Sequence, residues 1–206
     1  MKNYSILFFL SDEGFGHIVR QEAIINEFIN KNSLIKITAI TKKKIDVIKE
    51  KFGTKINYIE KYNNLHTVKT PSGSLNIEGT KLIFNKYVES SNKWLKSMPK
   101  LIPEFDFAIS DCVPEAIELC YRLNKPCFNI SHFTWDWFYY SIIKKDNKTV
   151  KVLENYLNKA SLLFFPPFTP VALLRKYGVK VKEVPFIINE FVPITIKHKG
   201  DSSELT

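Results

Sequence analysis

Gly14, Gly16, His17 and Arg20 fall within one short stretch, SDEGFGHIVRQEA at residues 11–23, and their types suit proton transfer beside a bound ligand. The apolar run before them, residues 4–10, reads as a buried strand. The segment after them has helical periodicity, with Ile18, Ile25 and Ile29 on one face and Ile24 and Phe28 beside it. The glycines and the histidine therefore sit on a strand-to-helix turn. Glycines let a ligand approach the backbone closely, and a new helix points free N–H groups at that spot. A histidine there can exchange protons near neutral pH. Gly14, Phe15 and Gly16 are the candidate substrate contacts of the turn. Arg20, one helical turn on, either binds an anion or forms a surface ion pair.

A base of this kind needs a partner. In an open parallel sheet, ligands bind beyond the carboxyl ends of the strands, where the strand order reverses. In the common doubly wound order, strands one and four are neighbours at that reversal. The fourth apolar run ends at Ser110-Asp111. Asp111 is then expected to face His17 across one crevice, with Ser110 beside it. A carboxylate on one imidazole nitrogen fixes the tautomer and stabilises the imidazolium formed when the other nitrogen takes a proton. Simpler readings stand beside this one: His17 bonding only to backbone near a helix start, and Asp111 favoured there by capping and the helix dipole. Beyond the fifth run, Ser131-His132-Phe133-Thr134-Trp135-Asp136-Trp137 gives Thr134 as an N-cap. His132 and Trp135 are further candidate contacts, the aromatics either stacking on a sugar or lipid or packing a buried helix face.

The elements that must position these residues alternate. Apolar, β-rich runs at 4–10, 34–41, 56–59, 105–110, 126–131, 161–165 and 179–184 are separated mostly by helical patterns, notably over 80–98, 114–123 and 148–160. Pro114 suits a first helical position, and Arg175–Gly178 reads as a helix end with a glycine cap. This alternation predicts an α/β fold, a doubly wound Rossmann-like parallel sheet with helices on both faces. Residues 60–79 are polar and turn-rich and read as an exposed loop. Residues 1–185 read as one domain and 186–206, with a polar end, as an interdomain linker or tail.

Composition narrows the class. The chain has 206 residues, 45% hydrophobic, ample for one core. The net charge is +9, with the densest lysines at 42–44, 144–145 and 180–182, and a solvated lysine-rich surface is the simplest account. No recognised nucleic-acid motif or basic stripe is present, so nucleic acid is not an expected partner. No stretch reaches the ~20 apolar residues that span a bilayer. The N-terminus lacks a signal-peptide cleavage site. Three cysteines, Cys112, Cys120 and Cys127, have no metal-type spacing and fit a reduced cytoplasmic core. No metal and no cofactor is expected. Val19 stands where a dinucleotide fingerprint needs its third glycine, lysines follow the second strand where that fingerprint needs an acid, and the P-loop Gly-Lys-Ser/Thr is missing.

The turn Gly14-Phe15-Gly16-His17-Ile18-Val19-Arg20 resembles the GxGHxxR motif of GT-B glycosyltransferases, particularly the group related to the peptidoglycan-precursor N-acetylglucosaminyltransferases. Residues 105–139, FDFAISDCVPEAIELCYRLNKPCFNISHFTWDWFY, resemble the later part of the same N-terminal domain. The resemblance implies the acceptor-binding half of a two-domain, inverting enzyme. His17 would be the general base and Asp111 its orienting carboxylate. The nucleotide-sugar donor would be held by a second domain or subunit, and the acceptor would be a sugar or a lipid-linked molecule, with peripheral membrane contact. The loop at 66–79 and residues 133–137 would shape the pocket. The donor-binding signatures are not in this chain. Two rival readings remain: a non-catalytic binding or scaffold protein on the same fold, and the recruiting subunit of a split transferase.

Overall fold

The computed structural model describes residues 3–14, 16–63, 65–143, 147–177 and 180–187. The seven expected strands all form: β1 (Ser5–Leu10), β2 (Lys36–Thr41), β3 (Asn57–Glu60), β4 (Phe107–Asp111), β5 (Cys127–Ile130), β6 (Leu162–Phe165) and β7 (Val181–Glu183). They make one parallel sheet in the order β3-β2-β1-β4-β5-β6-β7. The order reverses between β1 and β4, as the alternation predicts.

The helices are α1 (Gly16–Lys31), α2 (Ile45–Phe52), α3 (Ile77–Ser97), α4 (Pro114–Arg122), α5 (Trp135–Ile143), α6 (Lys148–Leu157) and α7 (Val171–Tyr177). Their starts are locally encoded. The Asn76 side chain accepts from the Gly79 amide at 2.8 Å, and Asn147 accepts from Thr149 and Val150. Pro114 opens α4 as its first residue. The expected glycine cap at Gly178 lies outside the described residues, as does most of the expected tail.

The sheet is buried on both faces, which is why its strands read as continuous apolar runs. Ile6, Phe8 and Leu10 of β1 join Ile18 and Ile25 of α1 and Ile48 and Phe52 of α2. Leu7 and Phe9 point the other way, among Phe84, Trp94, Ala116, Trp135, Leu153 and Leu173 from the helices of the second layer. All three cysteines are free and buried there. Among the described residues no helix is long and apolar enough to cross a membrane.

One expectation changes. Residues 60–79 are not a free loop: Asn63 and Leu65 are buried, a bridge pairs Lys69 with Leu75, and α3 already begins at Ile77. Asn63 is buried because it hydrogen-bonds the end of β1, donating to the Leu10 carbonyl and to the Asp12 carboxylate. At the other end, Ile187 packs against the α1 layer.

Phe84 is fully buried and stacks on Tyr139 with ring centroids 3.9 Å apart, joining α3 to α5. Phe84→Ala should therefore cost about 3–5 kcal/mol of stability, the range for emptying a core aromatic site. Urea unfolding should show a lower midpoint; an unchanged midpoint would mean that this layer is not cooperative with the sheet.

Candidate functional site

The sheet register brings the chemistry together. Leu10, the last residue of β1, pairs with Asp111, the last residue of β4. From Leu10 the chain turns through Ser11–Gly14 into α1. Gly14 has φ +24°, a conformation strained for any residue with a Cβ. His17 is the second residue of α1, and Arg20, three positions on, shares its face. Phe15 lies outside the described residues.

Asp111 is fully buried, and its Oδ1 lies 2.9 Å from Nδ1 of His17 and 2.5 Å from Nη2 of Arg20. Burial pushes the carboxyl upward, but the hydrogen bonds from His17 and Arg20 and the electrostatic pull of those two partners outweigh it, so Asp111 is held below the usual carboxylate range. An ionised carboxylate only accepts. Nδ1 of His17 must then carry the proton, leaving the Nε2 lone pair as the ring's open basic position. Arg20 Nη2 also lies 3.1 Å from Nδ1. With the proton on Nδ1 that approach is a contact, and the guanidinium directs its hydrogen to the carboxylate.

Arg20 is 6% exposed. It is neither a surface ion pair nor a free anion site, because a carboxylate buried at a strand end needs a permanent cation beside it. Ser110 does not face the crevice. Its Oγ donates to the Val113 carbonyl and accepts from the Val113 amide, closing the turn into α4. Between them Cys112 takes φ +59°. A left-handed non-glycine residue costs of order 1–3 kcal/mol and persists where its surroundings hold it. Here the Trp135 indole N–H donates to the Cys112 carbonyl at 2.9 Å. Trp135 is 1% exposed, so it braces the Asp111 turn from the core and does not stack at the crevice mouth. Burial, then the Asp111 charge, push the Cys112 thiol well up, so it is no nucleophile.

Gly16, His17, Arg20, His132 and Phe133 line a hollow of about 140 Å³. His132 therefore joins His17 at one site, although it follows a different strand. Burial, then the Arg20 guanidinium, lower the His132 pKa below its ordinary value, and a hydrogen bond with the Pro167 backbone only partly offsets them. A larger groove of about 750 Å³ runs between α1 and residues 184–187. Its two charged lining residues, Glu27 and Lys31, are paired with each other at 2.9 Å. The two imidazoles lie at the small hollow and not at this groove. Among the described residues no cluster of three or more His, Cys, Asp or Glu is placed to hold a metal ion.

The glycine turn is held from the next two loops. Asp12 accepts from the Thr41 hydroxyl, the Lys42 and Lys43 amides and the Asn63 amide. Glu13 accepts from the Thr67 amide and hydroxyl. Asn63 and Thr67 thus back the turn, and no residue of the expected pocket loop at 66–79 is among those lining the hollow. Lys44, expected on a solvated face, is buried at 5% exposure, with its ammonium on the Ser11 and Gly14 carbonyls. Its sequence signal is a lysine standing where α2 wants a capping residue.

No family model matches this sequence, and no curated protein does. Solved structures match its fold. The chain is similar to LpCGTa in complex with UDP, with TM-score 0.58 and 12% identity over 92% of this chain and 55% of that one. It is similar to Arabidopsis thaliana UGT89C1 complexed with UDP-L-rhamnose, with TM-score 0.59 and 12% identity over 92% and 50%. Medicago truncatula UGT71G1 complexed with UDP-glucose gives 0.57 and 10% over 91% and 52%. The chain spans about half the length of these proteins. At such identities the likeness is one of fold: a Rossmann-like α/β half of the GT-B architecture.

The Asp111 ion pair supports stability with a defined sign. A carboxyl depressed in the folded state stabilises above its unfolded pKa of about 4, and this stabilisation is lost as pH falls through the lower folded value. Asp111→Asn also leaves Arg20 as an uncompensated buried cation, at about 3–5 kcal/mol. Urea unfolding across pH should show a less stable variant with a shallower acid limb; a slope equal to wild type would mean that Asp111 is not the ionised partner.

Proposed function

We propose that this chain is the acceptor-binding half of an inverting glycosyltransferase, with His17 as general base and Asp111 as its orienting carboxylate. The observation that carries the reading is the 2.9 Å contact between His17 Nδ1 and Asp111 Oδ1 at the sheet's switch point. The GT-B fold and the UDP-sugars named with its structural neighbours support it.

In this reading an acceptor hydroxyl enters the hollow and hydrogen-bonds to His17 Nε2. As its oxygen attacks the anomeric carbon of a nucleotide-sugar, Nε2 takes the proton. The new C–O bond forms on the face opposite the breaking bond to the nucleoside diphosphate, which leaves with that electron pair. Asp111 stays ionised and stabilises the imidazolium. Arg20 holds the carboxylate in place. His132 and Phe133 flank the acceptor. The donor and its diphosphate are held by a second domain or subunit, because among the described residues the only permanent cation lining the hollow, Arg20, is already bound to Asp111. The motif resemblance favours kinship with the peptidoglycan-precursor transferases, a lipid-linked acceptor and work at the cytoplasmic membrane surface.

His17→Ala, assayed with a donor-binding half supplied in trans or by fusion, should lower turnover by about 10²–10⁴, the usual contribution of a general base. The circular dichroism of the variant should stay near wild type, with a fall in urea midpoint no larger than the lost hydrogen bond to Asp111 accounts for. Near-normal turnover would reduce His17 to a structural residue.

A further inference from the structure

Lys44 breaks three local rules at once. It is the N-cap residue of α2, where Ser, Thr, Asp or Asn is favoured because a side-chain oxygen accepts a free amide; Lys44 makes no such bond. It places a cation at the positive end of a helix. And it is buried, although Lys42 and Lys43 beside it are exposed. An ammonium gives up hydration there. What it gains is a grip on the preceding loop: Nζ donates to the Ser11 carbonyl at 2.9 Å and to the Gly14 carbonyl. Those carbonyls bracket Asp12 and Glu13, and Gly14 lies three residues before His17. Departures from local preference concentrate where position matters for function.

We propose that Lys44 is the positioning residue of the His17 turn: by drawing the Ser11 and Gly14 carbonyls onto one ammonium, it fixes the path of the chain into α1 and the direction of His17 Nε2. The grip is reciprocal, since Asp12 on the turn holds the amides of Lys42 and Lys43 just before Lys44. A short capping side chain lacks the reach to hold both carbonyls, even where, as in Asn, it has two donors. For turnover the proposal rests on the transferase reading; for geometry it does not.

The surroundings of Lys44 give it a pH signature. Burial lowers its pKa to about 8; Asp111, Asp12 and Glu13 pull it upward, and Lys43 pushes it down further. His17 and Arg20 stand behind Asp111. Below pH 8 the bonds to the turn are charge-assisted. Above it an amine still donates but without the charge that strengthens those bonds.

The test uses the isotope-labelled chain without substrate. Lys44→Asn supplies a normal N-cap and removes the ammonium. Its urea midpoint should equal or exceed that of wild type. The ratio of Nδ1–H to Nε2–H tautomer at His17, read from imidazole ¹⁵N shifts, should still fall several-fold. Lys44→Arg, which keeps a long cation, should restore part of the ratio. An unchanged ratio in Lys44→Asn would overturn the proposal, and so would a joint loss of stability and ratio that Lys44→Arg does not relieve. The wild-type chain provides a check that needs no folded Asn variant: its Gly14 and Gly16 amide shifts should pass through a transition near pH 8 that is absent from Lys44→Arg. No such transition would count equally against the idea. None of these readouts involves donor or acceptor, so they fail separately from the His17→Ala test.

Discussion

A carboxylate with no exposure, at the point where the strand order reverses, is the constraint around which the rest of the site is arranged. Asp111 is ionised in an apolar sheet only because Arg20 and His17 reach its Oδ1. Both come from the first two turns of α1, and they reach it because β1 and β4 are neighbours with Leu10 opposite Asp111. The sheet order thus does electrostatic as well as topological work. Were β1 and β4 separated by another strand, the charge would be stranded and would protonate rather than remain buried.

The turn beyond Asp111 shows the same dependence from the other side. Cys112 adopts a left-handed backbone, and its carbonyl is taken by the Trp135 indole deep in the second layer. The aromatic cluster of Phe133, Trp135, Phe138 and Tyr139 is therefore more than packing. It carries a polar contact that keeps the β4–α4 turn in the shape that aims Asp111 at α1. On the opposite side the glycine turn has few side chains of its own to pack. Charged and polar groups do that task instead, with Asp12, Glu13, Lys44 and Asn63 tying three consecutive loops together.

Much of this was legible in the sequence, for a physical reason. A parallel sheet covered on both faces writes each strand as an apolar run, and glycines before a histidine mark a strand-to-helix turn at any level of similarity. The adjacency of His17 and Asp111 followed from the topology alone. Depth did not follow. Periodicity tells which face a residue occupies but not whether a polar tip finds a partner far away in sequence. Arg20 and Asp111 are 91 positions apart, and Trp135 finds its acceptor 23 positions back. Ser110 looked like a crevice residue because it precedes Asp111, yet alternation along β4 turns it inward. Lys44 was hidden by its lysine neighbours, since a run of like charges reads as solvated surface even when one member bends inward.

In the proposed transferase, the charge arrangement would also decide which side of the reaction this half serves. Departure of a nucleoside diphosphate develops negative charge that needs cations or free amides aimed at it. Arg20 is consumed by Asp111, and Lys44 by two carbonyls beneath the turn. His132 is held toward its neutral form by burial and by Arg20. What remains at the hollow is the His17 ring, with Nε2 free of the Asp111 contact, and an aromatic wall. Such surroundings accept a proton from a hydroxyl more readily than they screen a phosphate. A site that commits its permanent cation to orienting a base therefore leaves the leaving group to be neutralised from across the cleft, and the division of labour between two halves follows from electrostatics as much as from the fold.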